Sequence, residues 1–161
     1  MSTLSVWRFD TPDGADNAVQ ILEDLRKQKL ITVHDAATVT WPEGAKKPKT
    51  RQLQNMTSAG ALGGAFWGML FGLLFLVPLL GAAVGAAAGA LTGRLTDVGI
   101  DDTFIKRAKE DITPGTSALF VLTTDAVLDR VQEAFEGERA DLLFTNLSSE
   151  QESRLREAFA D

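Results

Sequence analysis

The feature that most limits what this chain can become is residues 52–93, a run of 42 positions without one charged side chain. Nine of the fourteen glycines lie in it. Gly60, Gly64, Gly68 and Gly72 recur every four residues, and Gly81, Gly85, Gly89 and Gly93 do so again beyond Pro78. Glycine costs about 1 kcal/mol relative to alanine in a helix interior, so eight such positions forgo roughly 8 kcal/mol of helix propensity. Close packing has to offset that loss. Small residues at this spacing let helix backbones approach one another, a device of helices that associate in lipid.

The two limbs of the run differ in kind. Residues 57–77 carry Leu62, Phe66, Trp67, Met69, Leu70, Phe71, Leu73, Leu74 and Phe75 around the glycines. As a helix they reach about 31 Å, enough for a bilayer core. Residues 78–93 (PLLGAAVGAAAGALTG) are mostly Ala and Gly and favour protein neighbours over lipid. Pro78 suits the first turn of a second helix, where its missing N–H does no harm. The spacing thus predicts a helical hairpin whose tip, Val77, Pro78 and Leu79, is apolar and ends inside a bilayer or a partner. One continuous kinked helix is the other geometry available. Lys46, Lys47, Lys49 and Arg51 precede the run and Arg94 follows it. By the positive-inside tendency both ends would stay cytoplasmic. Solvated loop cations are the plainer explanation of the same residues.

Outside the run the chain reads as an ordinary small domain. Residues 2–9 alternate with period two, as a strand with apolar residues on both faces. Residues 14–30 place Ala18, Ile21, Leu22, Leu25 and Leu30 at helical spacing. The β-branched residues 31–41, the turn signal Pro42-Glu43-Gly44 and residues 49–54 predict a β-hairpin. Beyond the insert, a short helix from Asp101-Asp102 to about Asp111 stops at Pro114-Gly115. Residues 117–123 (SALFVLT) are a nearly continuous apolar run, expected of a central strand covered on both faces. A helix over 126–135, a strand over 140–146 and a terminal helix over 150–160 complete the order.

These elements predict an α+β fold: a ferredoxin-like sheet with helices on one side, interrupted by the long apolar glycine-zipper helical hairpin. Residues 1–54 and 95–161 together would form the α+β domain, with 55–94 as the insert. The 161 residues suit that organisation.

Chemistry is sparsely signalled. A net charge of −6 and a pI near 4.8 speak against nucleic acid as a partner, because phosphate neutralisation needs a basic face. The absence of cysteine removes disulfides, thiolate metal sites and cysteine nucleophiles. His34 is the only histidine, beside Asp35, with no second nitrogen or sulfur ligand spaced around it. Asp10, Asp13 and Asp16 lack the alternation and distal Glu of a calcium loop. The glycine-rich run lacks the GK[ST] of a phosphate loop. No catalytic residue, metal or cofactor is expected. The first residues carry neither a basic nor an apolar leader segment, which predicts a chain starting in the cytoplasm.

The run GALGGAFWGMLFGLLFLVPLLGAAVGAAAGALTG, followed by DVGIDDTFIKRAKEDITPGTSALFVL, resembles the bacterial family of domain of unknown function 1269, usually labelled predicted membrane protein. The resemblance covers nearly the whole chain. It implies a membrane-associated protein with a glycine-rich hairpin and no assigned activity, and it brings no catalytic residues.

Two expectations of function follow. One is a non-enzymatic homo-oligomer at the cytoplasmic face of the cell membrane, its partners itself and membrane lipid. The other is a soluble self-assembling scaffold or shell protein in the cytoplasm whose hairpins bury one another. A small-molecule sensor built on the sheet is a third and lesser expectation, since no polar cleft is evident.

Overall fold

A computed structural model describes residues 2–28, 33–46, 48–52, 70, 71, 74, 100, 102–124, 128–135, 140–147 and 150. The elements are β1 (Ser2–Phe9), α1 (Gly14–Lys27), β2 (Val33–Thr40), β3 (Lys49–Gln52), α2 (Asp102–Asp111), β4 (Ser117–Thr124), α3 (Leu128–Ala134) and β5 (Asp141–Leu147). The strands form one sheet in the order β3-β2-β4-β1-β5, antiparallel at every described pairing.

β4 lies at the centre because it can be buried on both sides. Ala118, Phe120 and Leu122 alternate with Leu119 and Val121, and all five are buried. Its register with β1, Ser2↔Thr124 to Phe9↔Ser117, aligns Leu4 with Leu122 and Val6 with Phe120 on one face. On the other face the same alternation sets Trp7 beside Leu119. β2 joins through Ala37↔Phe120 and Val39↔Ala118, with a register irregularity between Val33 and Asp35. His34 occupies that extra position, as in a β-bulge.

Helices cover both faces. Ala15, Ala18, Val19 and Leu22 of α1 are buried, the i, i+3, i+4, i+7 stripe of an amphipathic helix. With Val131 and Phe135 they pack on Trp7, Phe9, Ala36, Leu119 and Val121. Trp7 and Phe9 meet Phe135 edge to face at 5.0 and 6.1 Å. The opposite face, bearing Leu4, Val6, Ala37, Val39, Phe120, Leu122 and Leu143, is covered by Phe104 and Ala108 of α2, by Ile112, and by Ile100, Leu70, Phe71 and Leu74.

Two glycines fix the joins. Gly115 has φ +87° in the Thr113–Thr116 turn, which Thr116 N–H closes on the Thr113 carbonyl at 3.1 Å. Pro114 before it and a left-handed residue at the third position are the requirements of a type II turn. Gly14 opens α1 against Phe9 so closely that an added Cβ would stand 2.3 Å from Phe9 Cβ. Ser117 then ties the loop to the sheet: its hydroxyl donates to the Thr11 carbonyl at 2.7 Å and accepts from Ala15 N–H at 2.9 Å.

The sequence expectation of a ferredoxin-like sheet with helices on one side, interrupted by a long apolar glycine-zipper helical hairpin, is corrected on this evidence. The sheet has five strands, its helices are short, and they lie on both faces. No helix among the described residues is long and apolar enough to cross a membrane, and no helical hairpin is seen among them. The physical reason lies in Leu70, Phe71 and Leu74. An apolar side chain needs cover from water, and a sheet face provides it as well as lipid does.

Candidate functional site

The most informative site is the sheet face that receives the uncharged run. Leu70, Phe71 and Leu74 are helical, with relative exposures of 0%, 8% and 2%. Their spacing, i, i+1 and i+4, puts the three on one side of a helix. Phe71 meets Phe120 edge to face at 5.2 Å and 86°, an arrangement that adds about 1 kcal/mol to simple burial. Burying side chains of this size contributes roughly 2 kcal/mol each. The run is therefore tied to the centre of the sheet by packing, and this contact offers no chemistry.

Most of the glycine and hairpin positions lie outside the described residues: Gly60, Gly64, Gly68, Gly72, Gly81, Gly85, Gly89, Gly93, and Val77, Pro78 and Leu79 of the expected tip. So do Lys47, Arg94 and the expected terminal helix beyond Glu150. Of the basic cluster, Lys46, Lys49 and Arg51 are exposed. Lys49 and Arg51 belong to edge strand β3, opposite Thr40 and Thr38, which sets both on the α1 side of the sheet. Arg51 Nη2 stands 3.9 Å from Asp16 Oδ1, a weak contact between two exposed groups.

Sequence reasoning missed three polar features. Arg8 continues the Leu4, Val6 face of β1 but sits at the sheet's end. Its Nη1 lies 2.9 Å from Asp10 Oδ1 and 3.0 Å from Asp141 Oδ2, and its Nε donates to the Asp111 carbonyl at the end of α2. One guanidinium so joins β1, β5 and a helix C-terminus, where a cation is favoured. The available signal was a cation ending an apolar alternation. Asp35 is 0% exposed on the face of Leu4 and Leu122, and accepts Ala36 N–H at 2.9 Å. An acid inside a β-branched run was its signal. The third is a band of buried hydroxyls on the α1 and α3 face, Thr3, Ser5, Thr38 and Thr123. Ser5 Oγ accepts Trp7 Nε1–H at 3.0 Å, while Thr123 Oγ1 has no hydrogen-bond partner among the described residues.

A shallow open groove of about 460 Å³ lies between α1 and α3, lined by Leu25, Arg130, Glu133 and Ala134. Trp41 is half-buried and donates its indole N–H to the Ala45 carbonyl at 2.9 Å. No cluster of three or more His, Cys, Asp or Glu placed to hold a metal occurs among the described residues.

Fold and site together define an antiparallel five-stranded sheet protein with a buried contact between its central strand and a glycine-rich run. A family model described as Protein of unknown function (DUF1269) matches residues 61–160, well over half of the chain, and the chain belongs to that family. No curated protein and no solved structure is significantly similar to it.

Proposed function

We propose that this is a non-catalytic, self-associating protein whose glycine-rich run is buried by protein, first by its own sheet and then by further copies. The observation that supports it is the burial of Leu70, Phe71 and Leu74 on the face of Phe120. Apolar side chains settled in a protein core have no further need of lipid. The uncharged run contains many more apolar residues than these three, and another copy of the same run is a cover of matching composition. Light scattering after size exclusion without detergent tests the reading. A uniform particle of several chains is the expected result, and a monomer at all concentrations would overturn it.

Membrane association of such a homo-oligomer is the second reading. It is supported by the exposed Lys46, Lys49 and Arg51 shortly before the uncharged run, cations suited to an anionic lipid surface. Extraction of cell membranes with alkaline carbonate separates the two. Retention in the pellet favours lipid contact, and complete release favours the soluble assembly.

A further inference from the structure

The two edges of the sheet are unlike. Among the described residues β3 has four, and it carries exposed Lys49 and Arg51, which make a poor template for another strand. β5 runs seven residues in unbroken register with β1, from Ser2↔Leu147 to Arg8↔Asp141. It contains no Pro, Gly, Lys or Arg, and no strand pairs with its outer edge among the described residues. A bulge, a proline, a lysine and an unusually short strand are among the devices that keep an edge from pairing. β5 has none of them.

We infer that the outer edge of β5 pairs antiparallel with β5 of a second copy about a two-fold axis, joining two five-stranded sheets into one. This rests on the self-association proposed above and names its interface. The occupant follows from backbone and charge. An edge of outward N–H and C=O groups is satisfied by another strand, and a symmetric contact satisfies both copies at once. The strand's one charge is Asp141 at its beginning, held by Arg8 at 3.0 Å. Antiparallel pairing centred on Phe144 sets each Asp141 opposite Leu147 of the second copy. The two carboxylates then stand about 20 Å apart at ~3.4 Å per residue, beyond the reach of screened repulsion. Parallel pairing would bring them to about 5 Å. Pairing of β5 with β3 of another copy would use only the four described residues of β3 and would be a head-to-tail contact, which closes only where its rotation does.

The chain has no cysteine, so a single introduced cysteine can be bridged only to the same cysteine of a second chain. The full chain is made as Phe144→Cys, Thr145→Cys, Asp141→Cys and Lys49→Cys, checked for folding by circular dichroism, and treated with a short bismaleimide. The inference expects covalent dimer at 144 and 145 in roughly ten-fold higher yield than at 141, whose copies lie about 20 Å apart, or at 49. If Phe144→Cys does not fold, Thr145→Cys against Asp141→Cys makes the same comparison. Equal yields at all four positions, or dimer at Lys49→Cys alone, in a protein that light scattering shows to be oligomeric, would overturn the β5 interface and leave self-association standing. A monomeric wild-type chain would overturn both.

Discussion

Leu119 and Phe120 are neighbours in β4, both fully buried, and their side chains enter opposite layers of the molecule. Leu119 faces α1 and α3, short helices that each follow a strand directly. Phe120 faces α2, Ile100 and the three side chains of the uncharged run. The first layer is assembled from amphipathic helices whose apolar stripe leaves no doubt which side turns inward. The second recruits part of its cover from a stretch that is apolar on every side, so its inward residues carry no periodic mark. The two layers bury similar side chains by means that look very different along the chain.

The sharpest way to break this comparison is to truncate the two neighbours separately. Phe120→Ala is expected to cost about 4 kcal/mol and Leu119→Ala about 3 kcal/mol, the range for large core side chains that leave a cavity. Urea unfolding followed by circular dichroism measures both. A Phe120→Ala loss under about 1 kcal/mol would mean that its layer is loosely closed, and the likeness of the two faces would fail. Next in size is Gly14→Ala, which drives a methyl group into Phe9 on the α1 side. Overpacking of this kind should cost about 2 kcal/mol in the same assay. An unchanged midpoint would show that the first turn of α1 can slide. The smallest effect is the most specific. A double-mutant cycle on Phe71→Ala and Phe120→Ala should give a coupling of about 1 kcal/mol, the worth of an edge-to-face aromatic pair. Strict additivity would remove the run from the energetics of the sheet.

Much of the sheet was legible from period alone. Residues 2–9 form β1 and residues 117–123 fall within β4. The continuous apolar character of SALFVLT already required cover on both sides, although the helices were expected on one. What remained hidden was the identity of the cover. Leu70, Phe71 and Leu74 satisfy the same demand for dryness against a sheet as against lipid, and no pattern in the run separates those surroundings. Asp35 and Arg8 were hidden for another reason. Each depends on neighbours far along the chain: Leu122 in register with Asp35, and Asp111 and Asp141 around the guanidinium of Arg8. Of the expected site, only Lys46, Lys49 and Arg51 fall among the described residues, and Lys49 and Arg51 lie in the strand that the hairpin reading had placed from residue 49.

The position of β1 has a consequence for how this chain is made. Its two neighbours in the sheet are β4 and β5, so β1 leaves the ribosome more than a hundred residues before either strand it pairs with. Ser5 and Val121, joined by a hydrogen bond, are 116 positions apart. At about 5–20 residues per second Phe71 of the uncharged run emerges roughly 2–10 s before Phe120 emerges to receive it. During that interval the nascent chain displays its most apolar segment before its central strand has emerged. Until then the run has no cover from its own central strand.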